Sequence, residues 1–257
     1  MVLPHDQAGA GPAVVLLHAG VADRTMWTEH LPPLADAGYR AVAMDLPGFG
    51  EAPLGKEFRP WSDVLETMDA LEISGSAVVG NSFGGGVALN VAMVAPERVM
   101  GLVLVSARPP WLERSIELEA AWEAEESALE RGDIEAAVTA VVDAWTLPDA
   151  SQALRDRVAE MQRRAFELQI GASEPTEVPA PAEVDPDGLV ELEMPTLVAA
   201  GEFDLPDFRV GPEALAERLG NATGSVIPGA GHLAPLEQPD EFDRLLIGFL
   251  RQSARDA

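Results

Sequence analysis

A serine stands between two glycines in Gly80-Asn81-Ser82-Phe83-Gly84, with Gly85 and Gly86 directly behind. An alcohol becomes a nucleophile at neutral pH only when a base takes its proton, and G-x-S-x-G is a spacing that presents one. The glycines have a steric purpose. Where a strand turns abruptly into a helix, the apex residue is held in a strained backbone conformation. Side chains two positions away on either side would strike the adjoining strand and helix. Such a bend lifts the Ser82 hydroxyl over the carboxyl edge of a sheet, with the free N–H groups and positive potential of a helix N-terminus behind it. The same spacing also occurs in plain strand-to-helix turns, so the remaining groups have to be found.

The base must be an imidazole, and the chain has four histidines. His5 lies near the start, His30 falls in a helical stretch, and His18 ends an apolar run, where its ring suits holding a loop through backbone hydrogen bonds. His232 follows a short apolar stretch inside Pro228-Gly229-Ala230-Gly231-His232, a glycine loop able to lay the ring over a sheet edge. The acid that orients this base is expected at another strand end. Gly201-Glu202-Phe203-Asp204 supplies it; Asp204 is the first choice, with Glu202 and Asp207 as competitors. The order Ser82, Asp204, His232 is one of the chain orders in which such a triad occurs. An oxyanion needs two N–H donors. Phe83 provides one, and Gly20, after the first apolar run, is the candidate for the other, with Val21 as the alternative.

The elements that must position these groups are legible as an alternation. Ala13-Val14-Val15-Leu16-Leu17, Arg40-Ala41-Val42-Ala43-Met44, Ser76-Ala77-Val78-Val79, Val99 to Val105 and Pro195 to Ala200 are short continuous apolar runs, as expected for strands covered on both faces. Helical periods lie between them: 25–37, kinked or starting late because of Pro32-Pro33; 63–72, with Ser62 as N-cap; and 83–95. Strand–helix alternation predicts a parallel doubly wound sheet. The alternation breaks from about 109 to 191, where helical periods run over 114–131, 133–145 and 151–170 and no buried strand is visible. Residues 175–188, rich in proline and acid, read as a connector. A helix over 212–219, a strand over 224–227 and a helix near 240–252 complete the chain.

Composition narrows the function. The 257 residues suit one large α/β core, and with no cysteine the fold rests on packing. Acidic residues number 43 against 17 basic, a net charge of -26. That balance disfavours nucleic acid, anionic membranes and highly anionic substrates. No apolar run approaches the roughly 18 residues of a membrane span. No signal-peptide pattern is visible, so the expected location is cytoplasmic. No metal-ligand cluster, P-loop or dinucleotide fingerprint appears, so no cofactor is expected. The expected partner is a small molecule, and the expected assembly a monomer or homodimer.

Taken together, these motifs resemble the α/β-hydrolase superfamily, in its capped esterase and lactonase branch. His18-Ala19-Gly20 resembles the His-Gly-X oxyanion loop, with alanine in place of glycine. Asp45-Leu46-Pro47-Gly48-Phe49-Gly50 resembles the D-x-x-G-x-G loop, and Gly80–Gly84, Gly201–Asp204 and Gly231-His232 complete the set. The resemblance implies an α/β-hydrolase core over 1–108 and 192–257 and a helical cap over 109–191. It also implies hydrolysis of a small or medium ester or lactone through an acyl-enzyme. Substrate contacts are expected from Trp111, Trp122 and Trp145 in the cap, and from Val21 and Leu233. Asn81-Ser82-Phe83-Gly84-Gly85 also resembles the meta-cleavage-product hydrolases, which break C–C bonds, although Val21-Ala22-Asp23-Arg24 does not match their glycine-rich loop. A ligand receptor or lyase on the same scaffold is the remaining alternative. The family's N-terminal hairpin has little sequence to occupy, so its first edge strand is expected to be missing or vestigial.

Overall fold

The computed structural model describes residues 1–256. In chain order its strands are β1 (His5–Ala8), β2 (Ala13–Leu17), β3 (Arg40–Met44), β4 (Glu57–Phe58), β5 (Ser76–Asn81), β6 (Val99–Val105), β7 (Thr176–Glu177), β8 (Thr196–Gly201) and β9 (Ala222–Ile227). Seven of them form one sheet in the order β1-β3-β2-β5-β6-β8-β9, and β4 and β7 form a separate two-stranded ladder. Every pair in the large sheet is parallel except β1 with β3, which run antiparallel from His5 opposite Met44 to Ala8 opposite Ala41. β1 is thus the one antiparallel strand of this sheet among the described residues, at its edge.

Helices cover both faces: α1 (Leu31–Asp36), α2 (Pro60–Ala70), α3 (Phe83–Val94), α4 (Ile116–Glu130), α5 (Ile134–Trp145), α6 (Gln152–Ile170), α7 (Pro181–Val184), α8 (Pro206–Arg209), α9 (Gly211–Arg218), α10 (Ala234–Glu237) and α11 (Pro239–Asp256). The continuous apolar strands follow from this two-sided cover. Val14, Leu16, Val79, Val103 and Leu197 point into a core shared with Trp27, Phe242 and Leu246. Their neighbours Val15, Leu17, Val78, Leu102 and Val198 point the other way, into a core shared with Val87, Val91 and Leu215. A period of two along each strand therefore builds two cores with no polar face between them. Among the described residues no helix is long and apolar enough to cross a membrane.

Helices α4, α5, α6 and α7 lie in the chain between β6 and β8. Ser115, Asp133 and Ser151 cap the first three, accepting from the N–H groups of Leu118, Ala136 and Leu154. The helix over 25–37 starts late, as expected: a 3-10 turn, Arg24–Trp27, precedes α1, because Pro32 and Pro33 fit only a first turn. Two sequence expectations need correction. Ser62 is not an N-cap: α2 begins at Pro60 with Arg59 at the cap, because proline at the first helical position lacks only an N–H that would be unpaired there anyway. The stretch 175–188 is not bare connector, since β7 pairs with β4 and α7 packs on α3.

Candidate active site

The bend at Ser82 has the geometry that its sequence demands. Ser82 has φ 53 and ψ -114, a region costly for any residue with a Cβ. A Cβ on Gly80 would stand 2.1 Å from the Gly84 carbonyl oxygen, and one on Gly84 would stand 2.4 Å from the Leu17 oxygen and 2.5 Å from that of His18. Both glycines are therefore required by backbone atoms that cannot move aside. Backbone hydrogen bonds fix the bend: Ser82 N–H donates to Val105 O at 2.8 Å and Gly84 N–H to His18 O at 3.1 Å. Gly84→Ala should consequently destabilise the protein by about 3 kcal/mol or more, seen as a lowered unfolding midpoint.

Three loops converge on Ser82. Its hydroxyl lies 2.8 Å from His232 Nε2, and His232 Nδ1 lies 2.9 Å from Asp204 Oδ1. Asp204 and His232 are both 5% exposed. Asp204 Oδ1 also accepts the Leu205 N–H at 2.7 Å, which fixes the carboxylate plane. With Nδ1–H donating to the carboxylate, Nε2 is left with its lone pair toward the serine hydroxyl. The His232 ring packs against both Trp145 and Phe208, with centroids 4.4 and 4.3 Å away. Its loop is held from below by Glu237, whose carboxylate accepts from Gly231 N–H at 2.7 Å and Leu147 N–H at 3.2 Å. Burial pushes the Glu237 carboxyl up in pKa, and those two N–H donors oppose the shift. The competing acids are committed elsewhere. Glu202 accepts from Gly229 N–H at 3.0 Å, and Asp207 accepts the Ser115 N–H at 2.9 Å and its hydroxyl.

Gly20 abuts Phe83, so that a Cβ on it would meet the Phe83 Cβ at 3.3 Å. Among the described residues no acceptor takes the N–H of Gly20, Val21 or Phe83, and all three residues line the cavity in front of Ser82. The loop carrying Gly20 is anchored by two buried side chains. His18 Nε2 accepts from Leu46 N–H at 2.9 Å and its Nδ1 donates to Ala19 O at 2.8 Å, which is the loop-holding role expected of it. Burial holds the His18 pKa below the ordinary value, in keeping with that neutral ring. Asp45 accepts from Arg24 N–H and Glu51 N–H, each at 2.8 Å, and pairs with the Arg24 guanidinium. A Cβ on Gly50 would strike that carboxylate at 2.3 Å, which explains the glycine ending the Asp45–Gly50 loop. His30 is structural, lying between Asp243 Oδ1 and Pro235 O, and His5 sits in the edge strand β1.

The cavity measures about 970 Å³ and lies between the sheet edge and the helices inserted after β6. Trp122 and Trp145 line it, as does Val21. Two expected contacts do not. Trp111 is turned away, its ring under the Arg218 guanidinium at 4.6 Å, packed against the core of the opposite sheet face. Leu233 is fully buried in the core beneath the histidine loop. Several residues at the site went unnoticed in the sequence. Phe58, on β4, stacks on the Phe83 ring at 6.1 Å between centroids, and Phe208 packs on His232. Arg108 and Glu125 both line the cavity. Asn81 is fully buried, and its Nδ2 donates to Val105 O and to His232 O, each at 3.2 Å, which ties the serine strand to the histidine loop.

Fold, bend and triad geometry together define an α/β hydrolase. Residues 14–245 match the model described as the alpha/beta hydrolase family, and the chain belongs to that family. It is 30% identical over 274 residues to the 2-hydroxy-6-oxo-6-phenylhexa-2,4-dienoate hydrolase of Comamonas testosteroni, covering 98% of this chain and 92% of that one. It is 28% identical over 259 residues to the pimeloyl-[acyl-carrier protein] methyl ester esterase of Aeromonas hydrophila, covering 95% and 98%. Among solved structures, a thermophilic esterase from Thermogutta terrifontis superimposes with a TM-score of 0.78 at 26% identity, covering 98% of this chain and 93% of that one.

Proposed function

We propose that the chain is a serine hydrolase that cleaves a small or medium carboxylic ester or lactone through an acyl-enzyme on Ser82. The observation that carries this reading is the unbroken relay of 2.8 and 2.9 Å contacts from Ser82 through His232 to Asp204, opening on the cavity. Ser82 Oγ attacks the carbonyl carbon while His232 Nε2 takes its proton. The oxyanion is received by the N–H of Phe83 and that of Gly20, each such donor contributing about 3 kcal/mol to the transition state. When the tetrahedral intermediate collapses, the C–O bond breaks and His232 returns the proton to the leaving alkoxide. In a lactone the leaving group stays attached to the acyl chain. Water then attacks the acyl-enzyme with His232 as base, and the acid and free Ser82 are regenerated. Asp204 keeps the proton of His232 on Nδ1 throughout.

The inserted residues 109–191 serve as a cap over a core formed by 1–108 and 192–257. Arg164 pairs with Asp23 at 2.7 Å and Arg157 donates to Thr25 O at 2.6 Å, so the cap is latched to the loop that carries Gly20. Trp122 and Trp145 give the cap an apolar underside suited to an acyl chain or ring.

A second reading, hydrolysis of a C–C bond, is favoured by the match to the Comamonas testosteroni enzyme and by the residues Asn81 to Gly85. Against it stands the loop after β2, where Asp23 and Arg24 are occupied by ion pairs with Arg164 and Asp45 in place of a run of glycines. A chain-length series of p-nitrophenyl esters set beside a ring-fission dienone separates the two. Ester turnover at least about a hundredfold above that of the dienone, in kcat/KM, is expected. The reverse ratio would transfer the assignment to C–C hydrolysis.

A further inference from the structure

The cavity contains one cation for which the proposed reaction has no use. Arg108 follows the end of β6 by three residues, beside the bend where Ser82 N–H meets Val105 O. Among the described lining residues it is the only lysine or arginine. Its guanidinium donates to Leu112 O, and no carboxylate pairs with it among the described residues. A guanidinium has five N–H donors in a planar fork, so most of the fork is uncommitted.

Arg24, Arg98, Arg155, Arg163 and Arg218 each hold a carboxylate, as expected in a protein with 43 acidic residues. Arg40, Arg114 and Arg131 hold none, but they are engaged by Gln7, the Trp122 ring and Ser127, and none of them lines the cavity. Arg108 is half-buried, and a charge partly removed from water without a counter-ion is costly unless something pairs with it. Burial, and after it the neighbouring Arg114, lower its pKa, while the charges of Asp207 and Glu183 oppose the shift. Asp207 and Glu183 act on it through space, and no carboxylate lining the cavity pairs with it among the described residues. Asp207 is taken up by Ser115, while Glu126, Glu177 and Glu183 are exposed at the cavity rim. Glu125, on α4, is half-buried in the cavity lining, and burial raises its pKa.

We propose that Arg108 receives a carboxylate of the substrate, so that the preferred substrate is a monoester or lactone of a dicarboxylic acid, with the second carboxylate held away from the scissile carbonyl. The proposal rests on the Ser82 reading and adds to it a specificity-determining residue. The overall negative charge then excludes polyanions while one internal cation admits a single carboxylate.

The test uses a matched pair, p-nitrophenyl butyrate and p-nitrophenyl hemisuccinate, and reads the ratio of their kcat/KM values, in which any general loss of structure cancels. Arg108→Gln should lower the hemisuccinate-to-butyrate ratio about 10- to 100-fold, the range of one charge-assisted hydrogen-bonded contact, and Arg108→Lys should lower it less. A ratio within about threefold of wild type in Arg108→Gln would overturn the proposal. If the wild-type protein hydrolyses neither ester, the ester reading itself fails. The Arg108 assignment is then judged by titrating monomethyl succinate against tryptophan fluorescence, since Trp122 and Trp145 line the cavity. Affinity about tenfold weaker in Arg108→Gln sustains it, and equal affinity overturns it.

Discussion

Replacing Ser82 with alanine is expected to abolish ester turnover, with a loss of about a millionfold in kcat by analogy with other serine nucleophiles, while the unfolding midpoint and circular dichroism stay at their wild-type values. The size of the effect follows from chemistry: without the oxygen there is no acyl-enzyme, and only binding and the oxyanion donors remain. The intact fold follows from the structure. The hydroxyl makes its one side-chain hydrogen bond to His232, and alanine at φ 53 carries the same backbone strain as serine. Backbone bonds from Ser82 N–H and to Ser82 O persist in the variant. Steady-state kinetics beside thermal unfolding check both halves. A variant retaining even a hundredth of wild-type kcat would mean that another group does the chemistry.

Removal of Asp204 by alanine substitution is the second large effect, about ten-thousandfold in kcat/KM. The carboxylate does two things, and both are lost. It accepts the Nδ1 proton of His232 at 2.9 Å, keeping the Nε2 lone pair toward Ser82, and its charge stabilises the imidazolium that forms during attack. The ring itself stays in place, because Trp145 and Phe208 pack against it and the Asn81 amide holds its backbone carbonyl. The loss should therefore fall on the chemical step, and KM should move little. A reduction of less than about tenfold would indicate that Asp204 does not orient the base.

The parts of this protein legible from sequence are those fixed locally. A strand covered on both faces has to be apolar at every position, so β2, β3, β5, β6 and β8 stand out as runs. The bend at Ser82 leaves a local mark, since a Cβ on Gly80 would strike Gly84 four positions on; Gly84 itself is required by the distant carbonyls of Leu17 and His18, yet the G-x-S-x-G spacing reports both. The helical periods of α4, α5 and α6 are likewise local and stand out, whereas the one cap read from sequence, Ser62, gives way to Pro60 at the first helical position. What was misread depended on distant partners. Trp111 and Trp122 look alike in sequence and each carries a guanidinium over its ring, yet they pack against different cores and only Trp122 lines the cavity. Leu233 adjoins the histidine, but the φ and ψ of its loop turn it into the core. Asn81 and Arg108 acquire meaning only when β5, β6 and the histidine loop are brought together, since nothing in their neighbours along the chain marks them.

The central claim is that the Ser82 oxygen is an activated nucleophile, and its most direct test is covalent capture. The native protein is treated with a fluorophosphonate and mapped by intact mass and peptide sequencing. The account predicts one adduct per chain, on Ser82, formed at least about a thousandfold more slowly in His232→Ala because the base is gone. No adduct under native conditions, an adduct on a different residue, or an adduct on Ser82 that forms equally fast without His232 would contradict it.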